Sequence, residues 1–282
     1  MRIRHFTLTA FLVALVLTGC TEDRYALEKR YWHLRRQSRR IIQNPHGSPP
    51  ALYQQSINQL RRFIADHPEL PQSIDLELYI SKLYLAAGAY NMCRASLQEL
   101  LAKYPSTQSL AAEIIYLTGR SFEKEDDWDQ AVTYYDRVIS EYPDTEEAIF
   151  LPIYKAKYYQ KRVKESRMIA AYRAAIRHYQ AMADRNLGTK IAYRADMLTA
   201  YAYTQLEEWK DALTILEMVI HEYKDRFSVE GAVINKILIY RRELRDDVAA
   251  TEATMQLAQM YPKSAFLKLS QHQIKLKKLY EE

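Results

Sequence analysis

A spacing of about 38 residues recurs along the chain, and it leaves few folds open. Tyr53, Tyr90, Trp128, Glu165, Trp209 and Asp247 are separated by 37, 38, 37, 44 and 38 residues. Three positions after each come Ser56, Cys93, Ala131, Met168, Ala212 and Ala250, small in five of six cases. Seven after come Leu60, Leu97, Tyr135, Tyr172, Leu216 and Thr254, and ten after come Phe63, Leu100, Val138, Ala175, Val219 and Leu257. Fourteen after come His67, Tyr104, Tyr142, Tyr179, Tyr223 and Tyr261, followed in four cases by Pro68, Pro105, Pro143 or Pro262. These offsets share one face of an α-helix of about four turns. The proline ends that helix, because it lacks an N–H and restricts the residue before it.

A second helix precedes each anchor. Ser81, Gly119, Ala156, Ala200 and Leu238 lie nine residues before, and Tyr84, Phe122, Tyr159, Tyr203 and Arg241 six before. The small residue lets two helices approach, and the ring fills the space beside them. The run Gly119, Phe122, Trp128, Ala131, Tyr135, Pro143 resembles the tetratricopeptide repeat, as does Ala200, Tyr203, Trp209, Ala212. The resemblance covers about residues 40–265 and implies an all-α fold, a right-handed α-solenoid of about six helix pairs. With only 6 Gly and 9 Pro in 282 residues, a turn-rich β fold is excluded. The fourth pair departs from the pattern at Glu165 and Met168, with Pro152 inside or at the start of its first helix. The 44-residue step places an insertion near residues 181–188, and Arg241 and Thr254 weaken the sixth pair, as expected of a capping unit.

The N-terminus carries a different signal. Arg2, Arg4 and His5 precede an uncharged run from Phe6 to Leu17. As a helix it reaches about 18 Å, short of the roughly 30 Å bilayer core, so it reads as a cleaved signal and not a span. It ends in Leu17-Thr18-Gly19-Cys20, which resembles the bacterial lipobox. That resemblance implies cleavage after residue 19, acylation of Cys20 and attachment to a membrane. Thr21 in place of Asp implies sorting to the periplasmic face of the outer membrane. The expected organisation is a signal peptide at 1–19, an anchor, basic helix and loop at 20–50, the repeat array at 51–265, and a basic closing helix at 266–282. With Cys20 acylated, Cys93 is the remaining thiol and no internal disulfide is expected. Loss of Arg2 and Arg4 takes the net charge from +5 to +3, too mild for a nucleic-acid partner.

Residues 22–43 read as a basic helix with Arg30, Arg35, Arg36, Arg39 and Arg40 around Tyr31, Trp32 and Leu34. It supplies the first helix of the first pair, and residues 44–50 form the loop. Its arginines either face solvent or meet anionic lipid head groups. The seven histidines include no i, i+4 pair for a metal, and no nucleophile elbow or phosphate loop occurs. No catalytic residue, metal or cofactor is expected, and the chain reads as a non-enzyme. Cys93 reads as a buried, inert thiol. Glu123, Glu125, Asp126 and Asp127 read as a solvated turn rather than a calcium site.

The tetratricopeptide resemblance also implies where partners bind, along the first helix of each pair. The corresponding positions are Leu78, Tyr116, Ile153, Met197 and Asn235, then Lys82, Arg120, Lys157, Tyr201 and Ile239 one turn on, with Lys161, Arg194 and Arg242 nearby. Lys82, Arg120 and Lys157 form a ladder that either holds an acidic segment or is merely solvated. Lipobox, period and length together resemble the outer-membrane assembly lipoproteins of the BamD kind and related TolA-binding periplasmic repeat proteins. The implied role is an envelope scaffold whose partners are barrel-assembly components or their clients, with membrane contact only through the Cys20 lipid. A pilotin-like lipoprotein that carries a secretin or pilus subunit is the alternative.

Overall fold

The structure, a computed structural model, describes residues 24–105 and 107–269. The expected signal segment, Cys20, and the closing helix beyond residue 269 lie outside the described residues. Every regular element within them is helical: α1 (24–43), α2 (Pro50–Asp66), α3 (Gln72–Ala86), α4 (Tyr90–Lys103), α5 (Gln108–Lys124), α6 (Trp128–Glu141), α7 (Glu146–Lys161), α8 (Glu165–Arg185), α9 (Lys190–Gln205), α10 (Trp209–Tyr223), α11 (Glu230–Leu238) and α12 (Asp247–Met260). A π-helical turn, Ile239–Leu244, extends α11, and residues 265–269 are helical. The helices succeed one another as packed pairs, the architecture of an α-solenoid. The chain divides within α6 into two compact units, one running to Val138 and the other from Ile139.

Five of the six sequence anchors are the first residue of a helix: Tyr90, Trp128, Glu165, Trp209 and Asp247. Tyr53 is the exception. Pro49 and Pro50 start α2 three residues earlier, with Pro50 pre-set for a first helical position. The helices stop where the prolines predict, α2 at Asp66 before Pro68, α4 at Lys103 before Pro105, α6 at Glu141 before Pro143 and α12 at Met260 before Pro262. The fourth pair has no such proline, and the expected insertion is a continuation of helix: α8 runs 21 residues, to Arg185, where α4 has 14. Pro152 lies in the middle of α7 and is buried, so Ala148 lacks its usual helical N–H donor.

The turn inside each pair is built one way, and sequence patterning does not reveal it. Two residues before the anchors, Gly88, Asp126, Val163, Glu207 and Arg245 all have φ between 53° and 76°, the left-handed region. In four turns the residue after the left-handed one donates its N–H back to an aromatic carbonyl: Ala89 to Tyr84 at 2.9 Å, Asp127 to Phe122 at 2.9 Å, Lys164 to Tyr159 at 3.1 Å and Glu208 to Tyr203 at 3.0 Å. This is the six-to-one bond of a Schellman cap, and its acceptors are the aromatics of the repeat signature. In the sixth pair Asp246 donates instead to Tyr240, at 2.9 Å. The π turn adds a residue to the ring, so Tyr240 takes the place expected of Arg241.

Burial follows the offsets. Offset 10 is buried in all six pairs, and offset 7 in all but the last, where Thr254 is half-buried beside buried Ala253. In the unit to Val138 the core joins Leu34 and Ile41 of α1 to Ile57, Leu60 and Phe63 of α2 and to Leu76, Leu83, Leu97 and Leu100. Helix α1 thus completes the first pair, as expected, and Ser38 meets Ser56 across it at 3.2 Å. In the unit from Ile139, the offset-14 tyrosines clamp first helices through their hydroxyls. Tyr179 donates to the Ile149 carbonyl at 2.7 Å and Tyr223 to Asp196 at 2.8 Å, while Tyr261 accepts from the Val229 N–H at 2.9 Å.

Two substitutions test this construction. A Cβ at Gly119 would lie 2.7 Å from Cε1 of Tyr135, whose ring is fully buried and cannot swing away. Gly119→Ala is expected to lower stability by about 1–2 kcal/mol in urea unfolding, overpacking outweighing the alanine helix propensity. Val163 holds a left-handed conformation with a β-branched side chain that is 89% exposed. Val163→Gly relieves backbone strain and gives up no burial, so a gain of about 1 kcal/mol is expected. A destabilised Val163→Gly protein would mean that this turn is not closed as described.

Candidate functional site

The expected partner-binding positions fall on α3, α5, α7, α9 and α11, with Ile239 and Arg242 on the π-helical turn that extends α11. In the unit to Val138, Leu78 is buried in the core and is not presented to a partner. Lys82 on α3 reaches across to Glu113 on α5, Nζ to Oε1 2.6 Å, and sits 5.3 Å from the Tyr79 ring centroid. Arg120 lies one turn beyond Tyr116, its Nη1 3.5 Å from the Tyr116 hydroxyl and its Nε 3.8 Å from the Glu123 carboxylate. Tyr116 packs on Tyr135 at 6.0 Å between ring centroids. The two cations expected to form the start of a ladder are therefore engaged with carboxylates. Both pairs remain partly solvent-exposed, so Lys82 and Arg120 keep their place on the first-helix surface with part of their charge balanced by a neighbour.

In the unit from Ile139, Arg194 on α9 makes a bidentate pair with Glu146 in the first turn of α7, at 2.7 and 2.8 Å. Those bonds hold the Glu146 carboxyl below the usual carboxylate range. Arg194 joins two first helices and does not wait for a ligand. Ile153 is buried, and Met197 is half-buried against the core. Lys157 is exposed, with Nζ 4.8 Å from the Tyr201 ring centroid, and Lys161 is exposed at the end of α7.

Tyr201, Asn235 and Arg242 are brought together. They line one cavity of 260 Å³ between α9, α10 and α11, beside Gln205, Trp209 and Glu243, with Leu216, Leu238 and Ile239 as apolar wall. Sequence reasoning missed Gln205 and Glu243, and it assigned Trp209 only a packing role. It also missed Glu113 and Glu146. These carboxylates lie 31 and 48 residues from their partners, so no fixed spacing announces them.

Elsewhere the polar interior is structural. Burial pushes the Cys93 thiol up to about 12, leaving it protonated and unreactive. The Asp196 carboxyl, buried on α9, is pushed above its ordinary range by burial, against the opposing hydrogen bond from Tyr223. Among the described residues no group of three His, Cys, Asp or Glu side chains is placed to hold a metal. No helix among them is long and apolar enough to cross a membrane.

The tetratricopeptide repeat model matches residues 75–107, 113–145 and 194–226, the stretches that hold α4, α6 and α10 with most of the helix before each. The chain carries tetratricopeptide repeats. The matches avoid α7 and α8, where Pro152 interrupts one helix and seven extra residues lengthen the other relative to α4. A tetratricopeptide array serves as a protein–protein interaction scaffold, and its fold is generally non-enzymatic. No curated protein matches the chain. Solved structures that are similar include BtubC from P. vanneervenii, 13% identical over 75% of this chain and 89% of that one, TM-score 0.47. A tetratricopeptide repeat protein from Parabacteroides merdae is 13% identical over 89% and 88%, TM-score 0.46. The type IV pilus biogenesis factor PilW is 13% identical over 84% and 97%, TM-score 0.43.

Asp196 supplies a test of the array's interior. Its carboxyl has a folded pKa above the unfolded value of about 3.9. The stability it contributes is therefore fully present below pH about 4 and is lost as pH rises through the folded pKa. The stability of Asp196→Asn relative to wild type should accordingly grow with pH above about 4 and then level off. Urea midpoints of both proteins across a pH series measure the difference, and a pH-independent gap would contradict the burial.

Proposed function

We propose that this tetratricopeptide array is a lipid-anchored scaffold on the periplasmic face of the outer membrane, holding partner proteins of β-barrel assembly or envelope biogenesis. The cavity bounded by Tyr201, Asn235 and Arg242 carries the binding half of this reading. At 260 Å³ it falls below the roughly 300–1,000 Å³ of small-molecule pockets and suits a single apolar side chain. Asn235, Gln205 and Arg242 stand at that cavity to hydrogen-bond the backbone of an extended partner segment. The lipobox-like Leu17-Thr18-Gly19-Cys20 supports the envelope half.

Affinity purification from gently solubilised envelopes of the host, with a tag after Glu282, tests both halves. Wild type is expected to retain a β-barrel insertase or its associated lipoproteins, and Cys20→Ser to lose both labelled fatty acid and these partners. Asn235→Ala with Arg242→Ala, both exposed at the cavity, should keep the lipid and the unfolding midpoint while weakening capture about tenfold or more, as for a central contact pair. Recovery of a secretin or pilus machine in their place would overturn the assembly reading. Unlabelled wild-type protein would overturn the anchor.

A further inference from the structure

Helix α1 sorts its charges in a way the repeat fold does not require. Residues 24–43 carry seven Lys or Arg and one acid, Glu28. Three of the cations are engaged: Arg24 with Glu28 at 3.7 Å, Arg30 with Asp66 at 3.8 Å and Arg35 with Asp75 at 3.2 Å. The other four, Lys29, Arg36, Arg39 and Arg40, are exposed and make no ion pair with any described residue. The seam that α1 buries runs through Leu34, Ser38 and Ile41. Opposite it, Tyr25, Lys29, Trp32, Arg36 and Arg40 follow one another at three- and four-residue steps, with Arg39 alongside and no carboxylate among them.

The aromatics on this face are exposed as well. Tyr25 is 70% and Trp32 57% accessible, although the other pairs bury most of their rings. Trp32 keeps this exposure although Arg35 lies 5.0 Å from its ring centroid and Tyr31 packs edge-on against it at 5.4 Å. Trp and Tyr flanked by Lys and Arg are the side chains that settle at a membrane–water interface, rings at head-group level and cations on the phosphates. Beside this face, Lys29, His33 and Arg62 of α2 border an open cavity of 530 Å³ with Ala26 and Leu34 in its wall. The described part of α1 starts at Arg24, four residues after Cys20, a separation that even a fully extended chain spans in at most about 14 Å.

We propose that the outer face of α1 is a docking face for an anionic phospholipid surface, with Tyr25 and Trp32 entering the head-group layer and Lys29, Arg36, Arg39 and Arg40 pairing with lipid phosphates. The inference rests on the reading of the chain as an envelope protein but not on acylation of Cys20. A lipid-tethered array held by this face lies along the membrane through its first helix pair, and the tether and the face act as two signals of a single attachment.

The test uses residues 20–282, which include every described residue, with Cys20→Ser so that no acyl chain contributes. Co-sedimentation is measured with vesicles of phosphatidylcholine alone and with vesicles of phosphatidylcholine and phosphatidylglycerol in equal parts. Binding is expected only to the anionic vesicles, falling as salt is raised, with a blue shift of tryptophan emission that Trp32→Ala abolishes. Each of Lys29→Ala, Arg36→Ala and Arg39→Ala should weaken binding about fivefold, and the triple variant should abolish it without changing helical content or the unfolding midpoint. Equal binding to both vesicle types, or unchanged binding by the triple variant, overturns the proposal. So does a Cys20→Ser chain that, with α1 otherwise unaltered, ignores anionic vesicles, which would leave the face to an acidic protein. Failure here with normal fatty-acid labelling of Cys20 in cells would refute the docking face and leave the envelope reading intact.

Discussion

The backbone bond that closes each helix pair governs the rest of the array. A residue in the left-handed region ends the first helix, the next N–H returns to an aromatic carbonyl, and the second helix begins at the following residue. That bond sets where Tyr90, Trp128, Glu165 and Trp209 start their helices. The start in turn decides which offsets face inward, so the repeat's buried positions follow from the turn. Four of the five turns hold the left-handed conformation with Asp, Val, Glu or Arg, each under strain of about 1 kcal/mol or more. Pair packing offsets that strain: the small residue near the middle of the first helix, Gly119 in the third pair, lets Tyr135 fill the contact from the second.

Electrostatics on the first helices serve two ends. Lys82 with Glu113, and Arg194 with Glu146, tie neighbouring first helices together across their exposed sides. Half-exposed pairs of this kind add little stability individually, but they orient long side chains and cancel charge that a partner would otherwise meet. Where that cancellation is absent the surface is informative. The cavity of Tyr201, Asn235 and Arg242 keeps mixed polar and apolar walls, and the outer face of α1 keeps four cations with no ion pair among the described residues beside two exposed rings.

Much of the fold was legible in the residues. A core built of identical helix pairs demands the same volumes at the same offsets, so Leu60, Leu97, Tyr135 and Leu216 could be assigned to the interior from spacing alone. Proline reports helix ends directly, because its missing N–H is a property of the residue. The 44-residue step located the irregularity, but spacing cannot distinguish a longer loop from a longer helix, and here α8 simply continues. The Arg241 anomaly was legible only as a weak repeat; its cause is a π turn that moves the cap acceptor to Tyr240.

The candidate site was less legible, for a physical reason. Register on a helix assigns a residue to a face, and the first-helix positions were found on the helices expected. Whether a residue on that face is buried like Leu78, paired like Lys82 and Arg194, or open like Arg242 depends on side chains 31 to 48 residues away, contributed by another pair. Sequence alone determined the helical class, the pairing of helices and the inward offsets, since these are set by local propensity and period. Tertiary structure alone decided the turn conformation, the partner of each charge and the positions left available for binding, since these arise from distances between helices that the linear order does not contain.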